Sequence, residues 1–327
     1  MALYVCAYYS ALITLFRWIN RKKIIVLSYH NIIPDHLFDF APHLFVSHSQ
    51  SVFREQARFL RRYFHASTWP PKAGHYRCVI TFDDGYKNQW CVAGPILHDF
   101  GLPAIFFVPF GPVANREPLV VDQVLKWFSY CPAGDYKIFD DVISIRKDNR
   151  LHEYERVYRS LLANPKRWQE IVSELDKKAK FSELGTSAEL EALRFMPLSA
   201  DDLGAMRVAN LQIGCHSWDH RPLGVLPPDE VERDFKLCEQ RLDQFANSRL
   251  YCYPFGSARE VSRKVVECCA ASGFEWAFLN VSQLPEGLVS DSRFAVPRTS
   301  LPNTASRYIL AAKLSGFEAA FNRAIGR

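Results

Sequence analysis

Short apolar runs recur along the chain, and most are apolar at nearly every position rather than at alternate ones. They are IIVLSYH (24–30), CVITF (78–82), AIFFVPF (104–110), LQIGCH (211–216), LYCYPF (250–255), WAFL (276–279) and FAVP (294–297). Runs this short, rich in β-branched and aromatic residues, predict strands buried on both faces, as in a parallel sheet. Between them the spacing becomes helical. SVFREQARFLRRYF (51–64) gathers Phe53, Leu60, Tyr63 and Phe64 on one face, with Ser49 or Ser51 as N-cap. PPDEVERDFKLCEQRLDQFA (227–246) opens on prolines and acids and carries Val231, Phe235, Leu242 and Phe245. SAREVSRKVVECCAASGF (257–274) has Ser257 as its cap and Gly273 as its stop. Strands alternating with helices predict a βα-repeat barrel or a doubly wound sheet.

Two stretches depart from this rhythm. Residues 117–209 are polar and helical in pattern, with no convincing strand, and read as an insertion between two barrel strands. Residues 1–23 read as an apolar or amphipathic helix. The segment ALYVCAYYSALITLF (2–16) lacks the charged start and small-residue cleavage site of a signal peptide, and is short for a membrane span. It is expected to pack on the domain or to lie on a membrane surface, with a true membrane anchor as the alternative; under the positive-inside rule Arg17 and Arg21–Lys23 stay cytoplasmic. The barrel then occupies 24–310 and a C-terminal helix 311–327.

Composition narrows the picture a little further. A chain of 327 residues with 48% hydrophobic and 23% charged residues buries a sizeable core, as one large domain or two ordinary ones. The net charge of +5 is spread over the chain, and its basic clusters read as solvated helix faces; no nucleic-acid partner is expected. Nine cysteines, an odd number without a repeated CxxC spacing, mostly lie in apolar runs. That fits reduced thiols and a cytoplasmic location, in solution or against the inner membrane surface.

The candidate chemistry sits where the apolar runs end. Asp83-Asp84-Gly85 closes one run, His216 and His220 follow another at i, i+4 spacing, and His30 ends a third. In parallel βα folds the carboxyl ends of strands converge on the ligand-binding face. One Asp and a His pair can hold a divalent metal, which acidifies bound water and polarises a carbonyl, leaving the second Asp free as a base. Asp-Asp-Gly alone is a turn signal. The combination, each member at a strand end, is what points to a site.

The stretches TFDDGY, HSWDH and YPFG resemble the first three motifs of the polysaccharide deacetylase family, the NodB-homology carbohydrate esterases. LPAIFFV and FAVPR are similar too, and the similarity covers roughly residues 24–110 and 198–302. The resemblance implies a distorted (β/α) barrel of the polysaccharide deacetylase type with a helical insertion. It implies removal of an N-acetyl group from a glycan by metal-bound water, with Asp83 as catalytic base and Asp84, His216 and His220 as metal triad. Zinc is expected first, and nickel, cobalt, iron and manganese also suit such ligands. The metal and the backbone N–H of Tyr86 or a neighbour would hold the oxyanion, and Tyr253, Pro254 and Phe255 would line the groove.

There are departures from the family pattern. Cys252 stands where many members have an arginine, and Arg298 is a candidate to orient Asp83 in its place. The C-terminal Leu-x-His motif is absent, and Tyr29-His30-Asn31 resembles the N-terminal YH pattern of a permuted branch. On that reading His30 protonates the leaving amine, while His36, His43 and His48 are surface or groove residues. Two alternatives stay open: a small or lipid-linked amino sugar as substrate, and a catalytically silent glycan-binding protein.

Overall fold

Six of the seven apolar runs form strands of one sheet in the computed structural model, which describes residues 2–42, 47–209, 211–257, 260–281 and 292–325. The strands of this sheet are β1 (Ile24–Tyr29), β2 (His65–Ala66), β3 (Arg77–Phe82), β4 (Ala104–Val108), β5 (Gln212–Cys215), β6 (Leu250–Cys252), β7 (Trp276–Phe278) and β8 (Thr299–Ser300). Every pairing is parallel, in the order β7-β6-β5-β4-β3-β1-β8 with β2 beside β3. The sheet curls into a half-barrel, as expected of a distorted (β/α) barrel.

Side chains alternate across a strand, so each apolar run feeds two cores. Val26, Val79, Ile105, Phe107, Leu250, Cys252 and Phe278 close around Trp69 on the inner face. Their neighbours Leu27, Tyr29, Ile80, Phe82, Phe106 and Val108 pack outward against helices, including Phe53 and Leu60 of Gln50–Tyr63 and Phe235 and Leu242 of Pro228–Phe245. Both faces are covered, which is why the runs lack a polar stripe. Ser49 caps the first of these helices by accepting from the Val52 N–H.

Several boundaries differ from the sequence expectations. FAVP is not a strand: Val296 makes a single parallel bridge to Phe278, and the strand proper is the following pair, Thr299–Ser300. The helix expected from Ser257 starts at Arg263 with Ser262 as cap, because it is Ser262 whose hydroxyl accepts from the Val265 N–H. The insertion joins β4 to its sheet neighbour β5 and is not wholly helical. It contains an antiparallel hairpin, Gly134–Ile138 with Asp141–Ile145, whose Ile138, Ile143 and Ile145 join Trp127, Tyr154 and Leu161 in a separate core.

The N-terminal helix is two helices, Ala2–Tyr9 and Leu12–Ile19, bent by 74° where Ala11 adopts a left-handed φ of 62°. The C-terminal segment is likewise two helices, Arg307–Ser315 and Phe317–Ala324, parted at Gly316 with φ 84°. A residue in that conformation cannot continue a right-handed helix. The two pairs pack on each other through Ala7, Ile13, Ala311, Ala312 and Phe317. No single helix among the described residues is long and apolar enough to cross a membrane.

Candidate active site

The period of two along each strand carries the inner face past its end. Val26 and Ser28 lead to His30, Val79 and Thr81 to Asp83, Gly214 to His216, and Phe278 to Asn280. Asp83 still belongs to the ladder, since its N–H donates to the Tyr29 carbonyl at 2.9 Å. Strict alternation would then send Asp84 outward. Instead Asp84 has φ 72° and Gly85 φ 63°, which turn the second carboxylate back over the same mouth. At Gly85 a Cβ would come within 2.9 Å of the Val108 side chain, so only glycine fits the turn. Ser217 (φ 66°), His220 (φ 56°) and Phe255 (φ 61°) share this conformation. Half of the non-glycine residues with positive φ among the described residues therefore surround one site, at a cost of about 1–3 kcal/mol each.

Three of the sequence candidates converge. Asp84 Oδ1 lies 3.0 Å from His220 Nε2 and 3.3 Å from His216 Nε2, and one ligand atom from each residue falls within 4.8 Å of the others. His216 Nδ1 donates to the Cys252 carbonyl at 2.7 Å, which points its Nε2 toward the centre. A carboxylate and two imidazoles converging in this way fit a divalent transition metal, with the cavity side left open to water and substrate. Burial alone would raise the Asp84 pKa, but the charges of His220 and His30 and hydrogen bonds from both triad histidines hold it well below the usual carboxylate range.

Asp83 has different partners. Arg298 grips it with two hydrogen bonds, to Oδ1 at 2.7 Å and Oδ2 at 2.5 Å, and also donates to Thr81 Oγ1 (2.8 Å) and the Leu279 carbonyl (2.9 Å). All of these groups are buried. Burial pushes the Asp83 pKa up, and the Arg298 guanidinium more than offsets this, leaving it below its ordinary value. Cys252, at the motif position of the missing arginine, places its Sγ 3.0 Å from Arg298 and 3.7 Å from Asp83 Oδ2. His30 Nε2 stands 3.8 Å from Asp83 Oδ2. Burial lowers the pKa of His30, and the neighbouring charges of Asp84 and Asp83 only partly restore it.

A cavity of about 320 Å³ opens over His30, Asp83, Asp84, His216 and His220. Phe255 borders it, its ring 4.9 Å from that of His220. Tyr253 does not reach the cavity: it is buried in the core with its hydroxyl donating to the Phe294 carbonyl at 3.1 Å. Pro254 is buried at the same bend, beside Gly256, whose left-handed φ brings it against Asn280. Tyr86 does line the cavity, and its hydroxyl donates to Asp122 at 2.6 Å. His48 is buried rather than a surface or groove residue, hydrogen-bonded through Nε2 to the Leu301 carbonyl. His36 is exposed and pairs with Glu189, and His43 lies outside the described residues.

Helices of the insertion are expected to cover the groove, but the sequence singled out none of the wall residues they supply. These are Asp122, Tyr154, Tyr158 and Arg194. Arg194 is fully buried, donates to Asp122 at 3.0 Å, and lies over the rings of Tyr86 and Phe195. Nothing in the local sequence marks these residues, since an isolated Arg in EALRF reads as a helix-surface charge.

Comparison with known proteins agrees with this arrangement. The polysaccharide deacetylase family model matches residues 164–273, a span that holds His216, His220 and the YPFG turn. The resemblance to polysaccharide deacetylases stands. The match does not extend to Asp83 and Asp84, and it is the folded sheet that brings the TFDDGY turn to the deacetylase motifs. Solved deacetylase structures share the fold. The Streptococcus pyogenes deacetylase PplD in complex with acetate is 14% identical at a TM-score of 0.56, covering 90% of this chain and 99% of that one. A de-N-acetylase from Aggregatibacter actinomycetemcomitans is 14% identical at 0.52, covering 88% and 98%. IcaB from Ammonifex degensii is 17% identical at 0.51, covering 90% and 97%. No curated protein matches the chain.

Proposed function

We propose that this chain is a metal-dependent hydrolase that removes N-acetyl groups from an amino-sugar glycan. The observation that carries the reading is the separation of two neighbouring carboxylates: Asp84 facing two imidazoles, Asp83 held by Arg298. The family match and the deacetylase neighbours support the reaction class. Asp84, His216 and His220 would hold the metal, zinc first among the ions that suit them. When bound, such an ion supplies a positive charge that acidifies water and polarises an acyl oxygen.

The remaining steps belong to protein groups. Arg298 keeps Asp83 anionic and fixed, so that it accepts the proton of the attacking water. His30, whose Nε2 lies 3.8 Å from Asp83 Oδ2 on the cavity side, would take that proton from Asp83 and pass it to the departing amine. The cavity, about 320 Å³ and bordered by aromatic rings, suits one acetamido sugar and its neighbours rather than a free acetyl group. Nine unpaired cysteines, seven of them buried, support a reducing, cytoplasmic setting.

The test is acetate release from a panel of free, lipid-linked and polymeric N-acetylhexosamines, using metal-stripped and zinc-restored protein. Release restored by metal and abolished by Asp83→Asn, with metal content unchanged in that variant, is the expected result. Glycan binding without acetate release under any metal condition would overturn the hydrolase reading.

A further inference from the structure

Six of the thirteen most exposed large apolar side chains among the described residues lie in the first nineteen positions: Leu3, Tyr9, Leu12, Leu15, Trp18 and Ile19. The apolar start of the chain is thus not simply a packing helix. In Leu12–Ile19 the inner face, with Ile13, Phe16 and Arg17, is satisfied against the body: Ile13 and Phe16 join the cluster with Phe317, and Arg17 donates to the Tyr63 carbonyl. Leu12, Leu15, Trp18 and Ile19 recur at steps of three and four and form the opposite, outward stripe. Trp18 and Tyr9 are 56% and 67% exposed, where an ordinary soluble surface would leave polar groups.

Charge around this stripe is of one sign. Residues 1–34 contain no Asp or Glu, and the four basic residues in that span include Arg21, Lys22 and Lys23 directly after the stripe. Arg21 stacks on Trp18 at 4.2 Å and donates to its carbonyl. On the packed C-terminal helix, Arg307 lies over Tyr308, which meets Tyr9 at 3.1 Å. The nearby acid, Glu318, is engaged by Tyr4 and Lys313. Exposed aliphatics flanked by Trp, Tyr and cations match the interfacial zone of a bilayer. A second copy of the chain is a poor occupant, because a twofold contact would press the two Arg21–Lys23 clusters together.

We infer that Ala2–Tyr9 and Leu12–Ile19 form a peripheral docking surface for an anionic phospholipid bilayer. Each helix is eight residues, about 12 Å, far short of a hydrocarbon core of about 30 Å, and the bend between them rules out one continuous rod. They lie on the surface rather than cross it. The pair enters β1 at its amino end, whereas the cavity opens at the carboxyl ends, so docking leaves the cavity facing away from lipid. The inference stands independently of the deacetylase reading.

Flotation with phosphatidylcholine–phosphatidylglycerol vesicles, against pure phosphatidylcholine, tests it. The full chain is expected to float with the anionic vesicles and to be released by high salt. Leu12→Ser/Leu15→Ser/Trp18→Ser should stay in the soluble fraction with an unchanged circular dichroism spectrum. Lys22→Glu/Lys23→Glu, which leaves the apolar stripe intact, should bind roughly tenfold more weakly or worse at low salt. The inference fails if the native chain stays soluble with both vesicles, or if the triple variant floats equally well. It also fails if sedimentation shows a dimer that the triple variant dissolves while flotation is absent, since the occupant is then a second copy.

Discussion

Asp83 and Asp84 are adjacent in sequence, yet one is paired with Arg298 and the other with His216 and His220. The backbone makes the division, since Asp84 leaves the strand with φ 72°. Replacing Arg298 with Leu should leave Asp83 buried without its cation, at a cost of about 3–5 kcal/mol. The Asp83 pKa would then rise, because Arg298 is what offsets burial. The acidic limb of kcat/KM should therefore move to higher pH, and a pH–rate profile that stays put would count against an orienting role. His48 gives a second test. Burial pushes its pKa down to about 4, from an ordinary value near 6.5. The unfolded chain takes up that proton first, so the stabilising contribution is complete above about pH 6.5 and is lost as pH falls toward 4. Denaturant titrations should show His48→Gln losing roughly 3 kcal/mol less than the native chain over this interval.

At the scale of elements, the insertion turns out to be a wall of the site. Its hairpin escaped the sequence reading because GDYKI and DVISI are short, charged and only loosely alternating. Its cavity-lining residues escaped because Asp122 and Arg194 are 72 positions apart and meet only on folding. Truncating Arg194 to Leu should destabilise the protein by about 3 kcal/mol or more, since Asp122 would remain buried without its cation; the denaturation midpoint reports this. Tyr158, stacked on Tyr154 at the cavity edge, is partly exposed. Tyr158→Ala should raise KM severalfold for a glycan while changing kcat little, as expected of contacts made equally before and during reaction.

For the whole molecule, the candidate site is also a point of closure between distant elements. It joins β1, β3, β5 and β6 to the segment after β7, and Asp84, His216 and His220 bring one ligand atom each within 4.8 Å of one another, a set that could hold a metal ion. A ligand that binds only the folded chain stabilises it, by about 2.7 kcal/mol at a hundred times its dissociation constant. Zinc should raise the melting temperature of chelator-treated protein, and Asp84→Ala should abolish the rise. An equal shift in both proteins would place the metal elsewhere.

The sequence by itself determined six of the eight strands of the main sheet, their burial on two faces, and the positions of His30, Asp83, Asp84, His216 and His220 at strand ends. These follow from local patterns, because a period of two and a glycine at a turn act over a few residues. Tertiary structure decided the contacts that join distant parts of the chain, including the Arg298–Asp83 pair that the sequence offered only as a candidate. Arg298 reaches Asp83 from 215 positions away, Tyr253 turns into the core while Phe255 faces the cavity, and Arg194 crosses from the insertion to Tyr86. It also decided that the N-terminal apolar stripe faces outward. An apolar residue reads the same whether a helix packs inward or outward, and only the position of its neighbours in space tells the two apart.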